Sequence, residues 1–347
     1  MNRRDFIAKS VLATAGLSAG ASLAARPAES DAAVRQDGLC VPDGNLFAGM
    51  AGAYSAMYTP FFRDGEKEGE LNEEMIERLV EYGVKKGLTG MYLTGSTGEG
   101  FLLSLDERKR VYSRVAKAAR GRLKLIAHVG CISTDDACEL ARHAAKVGVD
   151  WVSSVAPVYF GQNSDAAYAH YKKISEATDL PFMIYSIGQE IVPDRDVKLF
   201  GLKNVMGMKY TGYAYWTVKS LRRRLPKPAI FFAGADEQEL CAFAYGDTFS
   251  GCIGTTDNVI PAHHVQICRL AAAGRFAEAA KLQDDVVRLV ELLADATNES
   301  CWKSAMRYIG LDCGQFRHPH EPYTESEYAD FCAKADALGL FRRNQAI

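Results

Sequence analysis

Residues 204–211 read Asn-Val-Met-Gly-Met-Lys-Tyr-Thr, and Gly212 follows directly. Four apolar or small residues therefore lead straight into Lys209, and a glycine ends the run soon after. A short apolar run bounded by turn residues is typical of a buried strand in a parallel sheet. Lys209 is expected to lie at the carboxyl end of that strand.

The position of Lys209 gives it two possible roles. A lysine half inside an apolar wall is held away from water, which disfavours its charged form and makes the neutral amine available. A neutral amine that faces a pocket can condense with a ketone to form a Schiff base. The alternative is that Lys209 extends from the strand end into solvent, as most lysines do. The rest of the chain decides between the two.

Short apolar runs and longer amphipathic stretches alternate eight times along the chain. The predicted strands are 49–58, 90–93, 123–129, 149–155, 181–187, 205–209, 229–233 and 251–254. The predicted helices are 72–86, 105–120, 134–147, 165–177, 194–200, 213–224, 237–245 and 261–272. This order predicts an α/β fold, a parallel (β/α)8 TIM barrel over residues 46–272. Helical patterns at 275–294, 300–308 and 325–338 predict a small C-terminal helical extension over residues 273–347.

A doubly wound sheet is the alternative fold for such an alternation. That fold binds dinucleotides through a glycine-rich turn of fixed spacing. The glycine-rich stretch of this chain, residues 95–100, reads Gly-Ser-Thr-Gly-Glu-Gly and lacks that spacing. The barrel is therefore favoured.

The amino terminus has the pattern of an export signal. Arg3 and Arg4 precede an uncharged stretch, residues 10–25, that is rich in alanine, glycine, leucine and serine. Paired arginines before such a stretch predict a twin-arginine signal peptide over residues 1–25 and export to the periplasm. The stretch has too few strongly apolar residues to predict a stable membrane anchor. Residues 26–45 are polar and are expected to be a linker outside the fold.

The net charge of the chain does not indicate that it binds nucleic acid. The formal net charge is −2. Loss of residues 1–25 would remove three basic residues and one acidic residue, which takes −2 to −4. A nucleic-acid-binding domain would carry a basic patch instead. The short run of arginines at 222–224 falls on a predicted helix, where a solvated face is expected.

Cysteine and histidine usage predicts no metal site and no disulfide framework. The number of cysteines is odd, and no Cys-x-x-Cys pair occurs, although one chance disulfide stays open in an exported protein. The nine cysteines are at positions 40, 131, 138, 241, 252, 268, 301, 313 and 332. The histidines of His318-Pro-His320 form a close pair, but no carboxylates of ligand spacing accompany them.

Three further strand ends carry residues that could take part in binding or catalysis. The carboxyl ends of the strands form the active face of such a barrel. Residues 94–99 read Thr-Gly-Ser-Thr-Gly-Glu, whose hydroxyls and N–H groups could hold a carboxylate or cap the next helix. Tyr185 ends the fifth strand, where it could relay protons or pack in the core. Residues 234–237 read Gly-Ala-Asp-Glu, whose acids could bind sugar hydroxyls or cap a helix.

These stretches, together with 207–211 and 254–258, resemble the N-acetylneuraminate lyase and dihydrodipicolinate synthase superfamily over about residues 47–340. The resemblance implies a TIM-barrel Schiff-base aldolase that acts on pyruvate-derived 2-keto acids. It implies no cofactor beyond the covalent imine, and a homotetrameric assembly.

The resemblance also implies residue roles. Lys209 would form the imine, and Tyr185 would shuttle protons at the bond that breaks. Ser96 and Thr97 would hold the pyruvate carboxylate. Tyr159 occupies the motif position of a tyrosine that family members often lend across a subunit interface.

The lyase branch fits the resemblance better than the synthase branch. The synthase branch has an arginine five residues after the tyrosine, where this chain has Glu190. The lyase branch has acids after the seventh strand and a Gly-Ser-Thr-Tyr-Asn segment after the eighth. The substrate-binding positions that match the lyase pattern are Thr211, Gly234, Asp236, Glu237 and Thr255. They imply a 2-keto sugar acid, a sialic acid such as N-acetylneuraminate, cleaved to pyruvate and N-acetylmannosamine.

Three departures from the pattern leave alternatives open. Asp257 replaces the usual tyrosine, and Ser186-Ile-Gly188 replaces a segment that commonly ends in proline. The stretch 247–251, before the eighth strand, is longer than is usual in the superfamily. One alternative is another pyruvate-dependent 2-keto acid aldolase or a synthase-like enzyme of the same superfamily. An exported protein that binds acidic sugars without cleaving them is the other. Borohydride trapping with pyruvate separates an enzyme from a binder.

Overall fold

The computed structural model describes residues 34–36, 39–159, 164–295 and 301–346. The signal peptide predicted for residues 1–25 lies outside these ranges. No helix within them is both long and apolar enough to cross a bilayer.

A short hairpin forms where a linker is expected. Strand β1 (Val34–Gln36) pairs antiparallel with β2 (Leu39–Val41). Leu39 and Val41 are buried, and Val41 belongs to the apolar cluster that fills the barrel interior. Removing these two apolar side chains from water favours an ordered hairpin over a solvated linker. For this part of residues 26–45 the linker prediction is therefore wrong.

Eight parallel strands close into a barrel, which confirms the predicted TIM barrel. Each strand pairs with the next along the chain, and the last pairs with the first. They are β3 (Gly52–Ala56), β4 (Gly90–Leu93), β5 (Lys124–His128), β6 (Trp151–Val155), β7 (Phe182–Ile187), β8 (Val205–Thr211), β9 (Ile230–Ala233) and β10 (Gly251–Gly254). Apart from Ile187, Lys124 and a few other strand-end positions, the strand residues are buried, as expected for a sheet covered on both faces.

A helix follows each barrel strand. These helices are α1 (Glu73–Lys86), α2 (Leu105–Ala119), α3 (Thr134–Lys146), α4 (Ser164–Ser175), α5 (Pro193–Asp196), α6 (Tyr215–Arg222), α7 (Glu239–Phe243) and α8 (Pro261–Ala272). Their starts follow local chemistry. The Asn72 side chain accepts the N–H of Met75 at the start of α1, and Ser104 and Glu107 form a capping box on α2.

The chain ends in the predicted helical extension. It consists of α9 (Phe276–Ala294), α10 (Trp302–Tyr308) and α11 (Glu325–Leu338). Gln283 of α9 joins it to the barrel, because its amide donates to the Asp236 carbonyl at 2.9 Å and accepts the Leu240 N–H at 2.9 Å. The extension therefore lies against the carboxyl end of β9, where chemistry is expected.

Candidate active site

Lys209 is buried in the barrel, not extended into solvent. It lies on β8, in register with Tyr185 of β7 and Phe232 of β9, and is 5% exposed. Its Nζ lies 4.4 Å from the ring centroid of Tyr185 and 4.7 Å from that of Tyr92. Within the described ranges, no hydrogen bond or ion pair reaches this Nζ. An amine held against two aromatic faces, with no carboxylate bonded to it, is placed to attack a ketone.

A cavity of about 420 Å³ opens beside Lys209 at the carboxyl ends of the strands. Its size suits a small-molecule ligand. Nine of the ten residues predicted for the site line it: Ser96, Thr97, Tyr185, Lys209, Thr211, Gly234, Asp236, Glu237 and Thr255. Residues far apart in sequence thus meet where the resemblance expects them.

Tyr159 is the predicted residue that does not join the others. It follows β6, is 85% exposed and lies outside the cavity lining. Its role at the interface with a second subunit stays a prediction.

The loop after β4 is held in a strained conformation. Thr94 and Glu99 both adopt positive φ angles, 50° and 55°, which side-chain-bearing residues seldom adopt. The Thr94 hydroxyl lies 3.0 Å from that of Tyr112 and donates to the His128 carbonyl at 3.1 Å. Such bonds hold the strained backbone in place.

The same loop presents donors to the cavity. Thr97 Oγ1 lies 2.7 Å from Thr255 Oγ1, which joins the loops after β4 and β10. In the described part of the chain, no backbone carbonyl accepts the N–H of Ser96 or Thr97. Two hydroxyls and two available N–H groups form a suitable cradle for a carboxylate.

A second buried lysine, which sequence reasoning missed, fixes this loop from behind. Lys303 of α10 is fully buried, and its Nζ donates to Glu99 Oε1 at 2.7 Å, to the Thr59 carbonyl at 2.9 Å and to the Gln315 carbonyl at 3.1 Å. Burial lowers the pKa of Lys303, and the Glu99 carboxylate opposes that shift. With three acceptors around it and no place in the cavity lining, Lys303 is a structural group.

The two tyrosines next to Lys209 differ in their hydroxyls. Tyr92 is fully buried, and its hydroxyl bonds with Ser153 Oγ at 2.9 Å. Burial raises the pKa of Tyr92 well above its ordinary range. Tyr185 lines the cavity, and within the described ranges no protein group bonds to its hydroxyl. The Tyr185 hydroxyl is therefore the one that can act on a ligand.

His128 packs at the edge of this group as a neutral ring. Its ring centroid lies 6.0 Å from that of Tyr185, and its Nδ1 lies 3.0 Å from the Thr94 carbonyl oxygen. Burial, with the charges of Arg108 and Lys209, lowers the pKa of His128 to about 3. It therefore adds no positive charge beside Lys209 at neutral pH.

The two acids after β9, Asp236 and Glu237, both line the cavity. Asp236 Oδ2 accepts the N–H of Thr256 at 2.7 Å and its hydroxyl at 2.6 Å. Glu237 Oε1 accepts the Tyr213 hydroxyl at 2.8 Å, a bond that raises the pKa of Tyr213. The helical extension also contributes lining residues that sequence reasoning did not place there: Val290, Leu293, Ala294, Trp302, Phe316 and His320.

Position 234 requires a glycine, because the side chains of Thr211 and Lys209 lie very close to its backbone. A Cβ at this position would lie 2.2 Å from Thr211 Oγ1 and 2.9 Å from Lys209 Cε. Because the side chains of β8 occupy that space, the residue directly after β9 must lack a side chain.

Two of the positions that depart from the sequence pattern, Gly188 and Asp257, do not line the cavity. Gly188, where a proline is common, adopts a φ of 65° and turns the chain after β7. Asp257 is buried and does not line the cavity. Its carboxylate lies instead in a group with Glu239, Cys252 and His264 behind the cavity wall. In the ranges that the structure describes, His318 and His320 belong to no such group.

The chain matches the model of the dihydrodipicolinate synthetase family over residues 49–338. N-acetylneuraminate lyase of Rhizobium meliloti (strain 1021) is 36% identical over 293 residues, 83% of this chain and 94% of that protein. 4-Hydroxy-tetrahydrodipicolinate synthase of Phenylobacterium zucineum (strain HLK1) is 33% identical over 258 residues, 73% of this chain and 87% of that protein.

The chain is also similar in structure to solved members of this group of enzymes. Wild-type Ruminococcus gnavus sialic acid aldolase superposes with a TM-score of 0.77 at 28% identity, covering 84% of this chain and 98% of that one. A catalytic lysine mutant of that aldolase also superposes with a TM-score of 0.77, at 27% identity, covering 84% of this chain and 97% of that one.

Proposed function

The chain belongs to the dihydrodipicolinate synthetase family, and we propose that within this group of carbon–carbon lyases it cleaves a sialic acid, N-acetylneuraminate, to pyruvate and N-acetylmannosamine. The proposal rests mainly on the position of the Lys209 amine. Among the described residues no carboxylate pairs with it, and it lines a cavity that Asp236 and Glu237 also line. Such a site can hold a ketone at one end and a hydroxylated chain at the other.

The reaction begins at Lys209. Its neutral amine adds to the C2 ketone of the open-chain sugar acid and loses water to give a protonated imine. Ser96 and Thr97 hold the adjacent carboxylate, which places C2 next to the amine. The similarity to an aldolase with a named catalytic lysine supports this role for Lys209.

Bond cleavage follows from the charge on the imine. The Tyr185 hydroxyl relays the proton of the C4 hydroxyl to the substrate carboxylate, the C4 oxygen becomes an aldehyde, and the electrons of the C3–C4 bond move towards the imine nitrogen. This releases N-acetylmannosamine and leaves an enamine. The same relay later returns the proton to C3. Protonation at C3 and hydrolysis of the imine then release pyruvate and restore the amine.

Two features favour the lyase over the synthase reaction. Glu190 stands where the synthase pattern has an arginine, and its backbone carbonyl accepts a hydrogen bond from Arg195 away from Lys209. None of the described residues that line the cavity is an arginine. Asp236, Glu237 and Thr255 line it instead, and these groups suit the hydroxyls of a sugar chain.

Glu237→Gln should separate the two ends of the substrate. The amide keeps the size of the side chain but loses its charge, so its hydrogen bonds to sugar hydroxyls weaken. We expect kcat/KM for N-acetylneuraminate to fall roughly 10- to 100-fold, whereas imine formation with pyruvate, measured by borohydride trapping, stays near the wild-type rate. Glu190→Gln is the matched control. It should change neither kcat/KM for N-acetylneuraminate nor the rate of imine formation with pyruvate. An equal loss in both reactions would mean that Glu237 acts only on the fold of the loop.

We also propose that the enzyme is exported through the twin-arginine route, on the strength of Arg3 and Arg4. Replacing both with lysine keeps the charge but removes the paired guanidinium groups. Fractionation of cells should then find the precursor in the cytoplasm, whereas a Lys9→Arg control should be exported. Normal export of the double variant would refute the proposal.

A further inference from the structure

A buried polar cluster lies behind the wall of the cavity. It consists of Glu239 at the start of α7, Cys252 of β10, Asp257 of the turn Thr256–Asn258, and His264 of α8. One ligand atom from each of these side chains lies within 4.8 Å of all the others. None of the four residues is more than 2% exposed. Proposed catalysis at Lys209 uses none of them.

Two oxygens of the cluster lack hydrogen-bond partners among the described residues. They are Glu239 Oε1 and Asp257 Oδ2. A buried carboxylate is costly unless hydrogen bonds, an ion pair or a metal ion compensates its charge. Asp257 Oδ2 lies 3.6 Å from His264 Nδ1, and Glu239 Oε2 lies 2.8 Å from the same nitrogen. One oxygen of each carboxylate therefore lies close to Nδ1.

The hydrogen bonds around His264 identify the nitrogen that is available. The Thr256 hydroxyl donates its proton to Asp236 Oδ2 at 2.6 Å. It must therefore accept a hydrogen bond from His264 Nε2, which lies 3.0 Å away. Nε2 carries a proton, and Nδ1 is left to face the two carboxylates. A histidine that ligates through one nitrogen commonly donates from the other in this way.

We propose that Glu239, Cys252, Asp257 and His264 form a closed four-ligand site for a divalent transition-metal ion. One imidazole nitrogen, two carboxylates and a thiolate are a donor set that suits zinc in tetrahedral coordination. On binding, the ion would take the place of the proton between Nδ1 and Glu239, and the Cys252 thiol would release its proton. Full burial leaves no open position for water or substrate, as in structural zinc sites.

The proposed ion would position a residue of the cavity. The chain of hydrogen bonds runs from His264 through the Thr256 hydroxyl to Asp236, which lines the cavity. The backbone between them is tightly packed, because a Cβ at Gly254 would lie 2.1 Å from Asp236 Oδ1 and 2.5 Å from Asp257 Oδ2. Fixing His264 would thus fix the Asp236 carboxylate. The ion acts through Asp236 and does not touch the substrate.

Cys252 and its neighbour Cys268 provide a matched test. Their sulfur atoms are 3.9 Å apart and both residues are buried, but only Cys252 belongs to the cluster. The full chain is produced in medium with zinc, dialysed against metal-free buffer and analysed for metal, and it is also produced with cobalt(II). We expect about one ion per chain and, with cobalt, a thiolate-to-metal charge-transfer absorption. Cys252→Ser should lose the absorption, and Cys268→Ser should keep both it and the ion.

Two results would overturn the proposal. One is a folded wild-type chain with less than about a tenth of an ion per chain in both media. The other is equal loss of the absorption in Cys268→Ser and Cys252→Ser, or no loss in either. If Cys252→Ser does not fold, Asp257→Asn replaces it, and this isosteric variant should lower the bound metal at least about tenfold. Borohydride trapping at Lys209 is independent of this outcome.

Discussion

Lys209→Arg should lower the rate of N-acetylneuraminate cleavage by roughly 10⁴-fold or more, because the variant loses the covalent route altogether. A guanidinium stays charged at any pH that the protein tolerates and cannot form an imine. The substitution keeps a long basic side chain against the Tyr92 and Tyr185 rings, so the loss is expected in turnover more than in stability. The measurement is pyruvate release under saturating substrate.

Lys203→Arg is the matched control. Lys203 lies just before β8, its side chain is 79% exposed, and it is 3.7 Å from the Asp179 carboxylate. It undergoes the same chemical change outside the site and should keep a rate within about twofold of wild type. Substantial cleavage by a folded Lys209→Arg enzyme would show that the bond breaks without this imine.

Tyr185→Phe should lower carbon–carbon cleavage by roughly 10²- to 10⁴-fold, the usual contribution of a positioned acid–base group. The phenylalanine ring keeps the aromatic face beside Lys209 and removes only the hydroxyl that lines the cavity. Imine formation with pyruvate involves no C4 hydroxyl, so borohydride should still trap the adduct on this variant. Steady-state rates and trapping yields on the same preparation give both quantities.

Tyr92→Phe is the counterpart that separates proton transfer from packing. The Tyr92 ring also faces Lys209, but its hydroxyl bonds with Ser153 and lies outside the cavity lining. Its loss should cost about 1 kcal/mol of stability and little activity. If Tyr92→Phe and Tyr185→Phe lost cleavage equally, the hydroxyl of Tyr185 would have no special part in proton transfer.

The barrel could be predicted because parallel strands buried on both faces appear in the sequence as short apolar runs. The predicted strand 90–93 matches β4, whereas the prediction 49–58 is longer than β3 (Gly52–Ala56). The extra residues, such as Met50 and Met57, are apolar because they pack in buried segments beside the strand. Hydrophobicity alone does not distinguish such flanks from the strand itself.

The motifs that form much of the site could also be predicted from the sequence. The motifs at 94–99, 207–211 and 234–237 each follow or end a strand, and the barrel brings all such ends to one face. The role of Lys303 could not be predicted in this way. Its partner Glu99 is 204 positions away, and no local sequence pattern indicates the pair. The same holds for His264, whose neighbours Glu239 and Cys252 lie on separate elements.

Borohydride reduction in the presence of pyruvate, followed by peptide mapping, tests the central claim most directly. The proposed mechanism predicts a reduced pyruvyl adduct on the peptide that contains Lys209, none on the peptide that contains Lys303, and none on either in Lys209→Arg. Lys303 serves as an internal control because it is fully buried and its amine is held by three acceptors. An adduct on any other lysine, or an active wild-type enzyme that yields no adduct, would contradict the mechanism.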